Sequence, residues 1–150
     1  MPLSASRLVP LWGYDDPRGR LTSLEEGREV PFTVRRVYLL HDVPEEALRG
    51  GHAHKALHQV VLAAAGSFTL RLDDGIQHES FTLATPRLGL YIGPGLWRTL
   101  ESFSPGTVAL VLASAAYDEG DYIRDYADFQ RFVGVPVTSD GPPAAPPVAP

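Results

Sequence analysis

Apolar and polar residues along this chain alternate in short runs, and turn residues interrupt them every eight to twelve positions or so, a rhythm of strands rather than helices. The interruptions fall at Asp16-Pro17-Arg18-Gly19, Gly27, Arg49-Gly50-Gly51, Gly66-Ser67, Asp73-Asp74-Gly75, Pro94-Gly95 and Ser104-Pro105-Gly106. Between them the pattern predicts strands over Phe32 to Leu40, Gly51 to Lys55, Gln59 to Ala64, Phe68 to Leu72, Ser80 to Leu83, Leu88 to Ile92, Trp97 to Phe103 and Thr107 to Ala113. No helical segment alternates with these strands, so the expected fold is an all-β sandwich or barrel and not a parallel α/β sheet. Asp73-Asp74-Gly75 reads as a hairpin turn, because Asp-Gly supplies the positive φ angles such turns need.

The rhythm breaks at Asp118 to Val133, where Tyr122, Ile123, Tyr126, Phe129 and Val133 recur at three-to-four spacing. That spacing predicts one amphipathic helix on the barrel, with Asp121 as its N-cap. After Gly134 the chain turns to Pro, Ala and small polar residues with no apolar period. Residues 1–134 are therefore expected to form a single domain and residues 135–150 a disordered tail.

Composition narrows the function. At 150 residues, 44% of them hydrophobic, the chain can bury one core without staples. It has no cysteine, hence no disulfide, thiolate metal site or cysteine nucleophile. No apolar run is long enough to span a bilayer, and the opening residues lack the charged and apolar regions of a signal peptide, so the expectation is a cytoplasmic protein without a membrane partner. A formal net charge of −5 at pH 7 argues against nucleic acid as a partner. Lys55 is the one lysine among 13 basic residues, so the positive charge is almost all guanidinium, a group suited to paired contacts with phosphate or carboxylate.

The sharpest local feature is Gly51-His52-Ala53-His54-Lys55, where a strand places both imidazoles on one face. The frame resembles the metal-binding motif of the cupins: His-x-His, four residues, a Glu ligand, six residues, then Gly, with a later histidine after a Pro-x-Gly turn. Here Gln59 stands at the carboxylate position, Gly66 keeps the spacing, and Gly93-Pro94-Gly95-Leu96-Trp97-Arg98-Thr99 carries no histidine. Two neutral imidazoles fall short of the three or more ligands a divalent ion needs, unless His41, His58 or His78 supplies another, so no metal is expected. The other reading of the pair is acid/base work, since imidazole titrates nearest neutral pH. On the predicted strand Phe32 to Leu40, alternation places Phe32, Val34, Arg36, Tyr38 and Leu40 together. An inward Arg36 then calls for an anion or a carboxylate.

Taken in order, several stretches closely resemble the dTDP-sugar 3,4-ketoisomerases, small cupin-fold enzymes of deoxysugar biosynthesis. They are Asp16-Pro17-Arg18-Gly19-Arg20-Leu21, Val30-Pro31-Phe32, Arg36-Val37-Tyr38, Arg49-Gly50-Gly51-His52-Ala53-His54-Lys55, Leu70-Arg71-Leu72-Asp73-Asp74-Gly75, Gly89-Leu90-Tyr91-Ile92, Phe103-Ser104, Val111-Leu112-Ala113-Ser114 and Asp121-Tyr122-Ile123-Arg124-Asp125-Tyr126. The resemblance implies a double-stranded β-helix (jelly-roll) barrel with one C-terminal helix. It implies a substrate, dTDP-4-keto-6-deoxyglucose, whose keto group moves from C4 to C3 through an enediol or enediolate without cofactor or metal.

On that pattern His52 and His54 handle the protons, with the choice of base left open, and Tyr38 serves the O3 and O4 oxygens. Arg18, Arg36, Arg49 and Arg98 are the candidates for the diphosphate, and Gln59 is a further substrate-binding candidate. Trp97, with Tyr91 and Tyr14, is a candidate for the thymine or the sugar. The charges of Asp121 to Tyr126 are expected on a solvated helix surface, and the family pattern implies a homodimer. The alternatives are an epimerase acting on the same 4-keto sugar, whose His-Asp dyad has no evident aspartate here, a non-catalytic nucleotide-sugar-binding module, and a metal-dependent oxygenase.

Overall fold

The computed structural model describes residues 3–138, 141 and 142. Its strands are β1 (Ser6–Pro10), β2 (Trp12–Asp16), β3 (Gly19–Ser23), β4 (Arg36–His41), β5 (Arg49–His54), β6 (Gln59–Ala65), β7 (Phe68–Asp73), β8 (His78–Leu83), β9 (Leu88–Ile92), β10 (Trp97–Glu101), β11 (Val108–Ala113) and β12 (Tyr122–Ile123), followed by one helix, α1 (Tyr126–Val133). Two five-stranded antiparallel sheets, ordered β1-β9-β6-β11-β4 and β12-β5-β10-β7-β8, enclose the core, and β2 and β3 form a separate hairpin. The expected all-β barrel with a C-terminal helix is what the chain forms.

The core joins Val61, Leu90, Ile92 and Val111 of the first sheet to Phe68, Leu70, Leu72, Leu83 and Leu100 of the second, with Phe103 stacked on Phe68. The near-continuous apolar runs of β6 and β11 have a simple cause: both faces of these strands are covered. Val61 and Val111 point into the barrel, whereas Val60 and Leu112 point out against Val30, Phe32 and Val34. That covering segment is why the strand expected from Phe32 begins only at Arg36. Its first residues pad the outside of the sheet.

All eight predicted strands exist, and four strands were not anticipated. On β2 and β3 the side chains are exposed or half-buried, so the hairpin has no apolar period to read. The expected helix from Asp118 is corrected at its start. Glu119–Asp121 is a 3-10 turn, Tyr122–Ile123 pairs with β5, and α1 begins at Tyr126. The N-cap is Asp125, whose side chain accepts from the Asp128 N–H, while Gly134 closes the helix in the left-handed conformation. Val135–Thr138 folds back on α1, with Gln130 and Thr138 joined by two hydrogen bonds of 3.0 and 3.1 Å. Apart from Gly141 and Pro142, the rest of the expected tail lies outside the described residues.

Candidate active site

The histidine strand owes its geometry to a bulge. Arg49 and His52 are three residues apart and would face opposite ways in a regular strand. The β5–β10 register shifts between Arg98 and Thr99, which pair with His52 and Gly50 respectively. The extra residue is accommodated by Gly50 and Gly51, at φ of 80° and 72°. A Cβ on Gly50 would also lie 2.9 Å from the Arg98 carbonyl oxygen. Arg49 and His52 consequently line the same cavity.

That cavity, about 270 Å³, is lined by Arg36, Tyr38, Arg49, His52, Gln59 and Arg98, together with apolar residues that include Leu70 and Ile92. Six of the residues anticipated from sequence meet here. His54, 1% exposed, lines an adjoining recess of about 170 Å³ shared with Arg36 and Tyr122. The two imidazoles touch edge to face, their centroids 4.9 Å apart.

Hydrogen bonding fixes the polarity of the cavity wall. Arg98 is 3% exposed and can only donate. Its Nη2 donates to the Leu96 carbonyl at 3.0 Å and its Nη1 to Gln59 Oε1. Gln59 must therefore turn its Nε2 toward Tyr38, donating to the phenol oxygen at 3.0 Å. Because that oxygen already accepts, the Tyr38 O–H proton is free to be given to something in the cavity. Arg98 Nε is buried and unpartnered, a donor still available to a ligand.

Charge follows the same pattern. Arg36, Arg49, Arg98 and Arg124 bring four guanidinium groups to the cavity of an acidic protein. Arg36 meets no carboxylate among the described residues; it lies over the rings of Tyr38 and Tyr117 at 4.7 and 5.5 Å. Burial, and then the Arg98 charge, push the His52 pKa down to about 3, and the same two causes lower that of His54. Both imidazoles are neutral at pH 7, as a base must be before it accepts a proton. Burial lowers Arg98 itself only to about 10, so it stays charged, and burial raises Tyr38, which stays protonated.

Five residues lie elsewhere than the sequence reading placed them. Arg18 sits at the tip of the β2–β3 hairpin, its side chain 88% exposed and paired with Asp16, because the Asp-Pro-Arg-Gly turn projects into solvent. Trp97 is 1% exposed but faces away from the cavity. Alternation along β10 sends Arg98 and Leu100 inward and Trp97 outward, under Ile123, Tyr126 and Phe129. Tyr91 likewise lies on the outer side, bonded to His58 at 2.7 Å, and Tyr14 is exposed on the hairpin.

The fifth is Asp121, expected on a solvated helix surface. No dyad aspartate was evident from sequence, yet Asp121 Oδ2 lies 3.0 Å from His54 Nδ1, 67 positions away in the chain. Tyr122 packs on both histidines at 4.8 and 4.4 Å, and Arg124 lies over its ring at 4.3 Å while pairing with Glu119. These residues were assigned to a helix face because Tyr122 and Ile123 happen to fit its period. The quoted Asp121-to-Tyr126 motif was the one signal that could have placed them in the site. Among the described residues, no three His, Asp or Glu side chains gather as a metal-ligand cluster.

Residues 4–134 match the family described as FdtA: WxcM-like, C-terminal. The chain is 45% identical over 118 residues to the TDP-4-oxo-6-deoxy-alpha-D-glucose-3,4-oxoisomerase of Aneurinibacillus thermoaerophilus, covering 79% of this chain and 85% of that protein. Among solved structures it is similar to the sugar 3,4-ketoisomerase QdtA of Thermoanaerobacterium thermosaccharolyticum in complex with TDP. That likeness has a TM-score of 0.87 at 39% identity, over 89% of this chain and 97% of the other. It is also similar to the TDP-quinovose 3,4-ketoisomerase WlaRB of Campylobacter jejuni, with a TM-score of 0.83 at 43% identity over 86% and 99% of the two chains. With the barrel, the histidine strand and nearly the whole domain matched, the chain belongs to the FdtA family.

Proposed function

We propose that this protein is a sugar-nucleotide 3,4-ketoisomerase that converts dTDP-4-keto-6-deoxyglucose to the 3-keto isomer. The observation that carries the reading is the meeting, in one arginine-lined cavity, of neutral His52 and the hydrogen-bonded series Arg98, Gln59, Tyr38. Relatives 39–45% identical that are named 3,4-oxoisomerase or 3,4-ketoisomerase support it over an epimerase, for which the His54–Asp121 pair alone would serve equally well.

The chemistry follows from what each group can do. The neighbouring ketone acidifies the C3 proton, which His52 removes with its free lone pair. The C3–H electrons form the C3=C4 bond as O4 takes the Tyr38 proton, giving an enediol. The resulting phenolate takes the O3 proton, the electrons return to make the C3 ketone, and C4 receives a proton from the histidine pair. Atoms and electrons balance within the sugar. Gln59 and Arg98 stabilise the Tyr38 oxygen in its phenolate form, and Arg36, Arg49 and Arg124 hold the diphosphate.

The reading carries with it a cytoplasmic location and a homodimer. Among the described residues, no helix is long and apolar enough to cross a membrane. Supporting the dimer, among the described residues β4 is an unpaired sheet edge whose outer residues Val37 and Leu39 are 55% and 52% exposed. A second copy laid on that edge would bury both. Incubation with dTDP-4-keto-6-deoxyglucose, followed by NMR of the products, should show the 3-keto isomer with wild-type protein and none with His52→Asn. Conversion by the variant at the wild-type rate would overturn the proposal.

A further inference from the structure

We infer that Asp121 is a positioning residue: it locks His54 into a single tautomer, with the proton on Nδ1 and the lone pair on Nε2. The two carboxylate oxygens have separate duties. Oδ1 accepts from the Ala56 backbone N–H at 2.8 Å, and Oδ2 faces His54 Nδ1 at 3.0 Å. A carboxylate can only accept, so the neutral imidazole must place its hydrogen on Nδ1. His54 Nε2 is left buried and without a partner, its lone pair open to a proton.

The fold holds Asp121 firmly in this role. It ends the 3-10 turn immediately before β12, its own carbonyl accepts from the Lys55 N–H at 2.9 Å, and Tyr122 pairs with His54 across the strands. Three contacts thus tie the Asp121 backbone and side chain to the end of the histidine strand. His52 has no such partner; its Nδ1 is buried and unbonded. The histidines are therefore unequal, and His54 is the one beside which a carboxylate stands ready to stabilise a positive charge.

The tautomer requires nothing of the substrate, but its use in proton transfer rests on the ketoisomerase reading. Asp121→Asn separates the two. The Ala56 N–H is a fixed donor and keeps the amide oxygen, so the amide NH₂ must face His54 Nδ1 and drive the imidazole to the Nε2–H form.

The experiment is proton–nitrogen correlation NMR of protein carrying ¹⁵N-labelled histidine, for wild type, Asp121→Asn and Asp121→Ala. Wild-type His54 should show a protonated Nδ1 and a bare Nε2. Asp121→Asn should exchange the two signals, and Asp121→Ala, which removes both acceptors and adds no donor, should give a mixture. Turnover by Asp121→Asn should fall on the order of 10²- to 10⁴-fold in kcat, with KM changed by less than about threefold. A wild-type Nε2–H tautomer, or the same Nδ1–H tautomer in all three proteins, would overturn the inference. If the tautomers exchange while the wild-type enzyme does not isomerise the sugar, the functional proposal fails and the positioning role stands.

Discussion

Gln59→Glu replaces one NH₂ group by an oxygen in the series that runs from Arg98 to Tyr38, and the consequence can be worked from the donors and acceptors alone. In the native protein Arg98 donates to Gln59 Oε1, and Gln59 Nε2 donates to Tyr38, leaving the phenol proton for the cavity. A carboxylate keeps the Arg98 contact and strengthens it by charge. It has nothing to donate, so Tyr38 must turn its proton onto the new carboxylate and away from the substrate. The variant loses a transition-state proton donor without losing packing volume, a change worth about 10²–10³ in kcat, or roughly 2.7–4 kcal/mol. The melting temperature should move little, because the new charge sits against the buried Arg98 guanidinium. Steady-state isomerisation rates, with product quantified by NMR, would be compared for Gln59→Glu, Tyr38→Phe and the double variant. Each single change should lower kcat similarly, and the double should be no worse than the lower single, since both remove the same proton. A folded Gln59→Glu enzyme with kcat within about twofold of wild type would refute the assigned polarity of the series.

Arg49→Met should weaken TDP binding by about tenfold or more in calorimetry, because a guanidinium lining the cavity is lost; unchanged affinity would remove Arg49 from the diphosphate site. Acid stability should follow His52, whose pKa lies near 3 in the fold against 6.5 when free. The unfolded chain binds the proton first, so stability is full above about pH 6.5 and falls as pH drops toward 3. The loss is roughly 3 kcal/mol by pH 4.5 from this residue. Urea unfolding at pH 7 and 4.5 should show a smaller decline in His52→Asn, and an equal decline would contradict the assignment. Val37→Glu combined with Leu39→Glu should convert a dimer to monomer in sedimentation velocity, whereas a dimer that persists would place the interface elsewhere.

The strands of the barrel were legible because one period, two residues, runs through them and glycine turns separate them. The candidate site was legible where a local pattern carried its placement: His52 and His54 by alternation, Arg36 and Tyr38 on one face of β4, Gln59 by its place in the cupin spacing. What local pattern hides is anything decided across strands. The inward turn of Arg49 depends on a bulge at Gly50, where the Arg98 backbone packs too closely for a Cβ. Trp97 was drawn to the cavity by its chemistry, but its neighbour Arg98 already faces inward, and alternation leaves Trp97 only the helix side. Asp121 was misread because a residue that accepts from a backbone N–H near a helix resembles an N-cap. Its partners, Ala56 and His54, lie more than sixty residues away. The hairpin carrying Arg18 left no apolar trace, so its exposed position in the fold was not legible from the sequence.

On the proposed reaction the protein moves a ketone by taking the proton from C3 and returning one to C4 of a nucleotide-linked 4-keto sugar, with His52 as the base. The most direct test is proton NMR of dTDP-4-keto-6-deoxyglucose with the enzyme in deuterium oxide, beside His52→Asn. The wild-type protein should remove the C3 proton signal and form a 3-keto isomer, and the variant should do neither. A C3 signal that persists while the nucleotide sugar is demonstrably bound, or exchange that survives the loss of His52, would contradict that reaction.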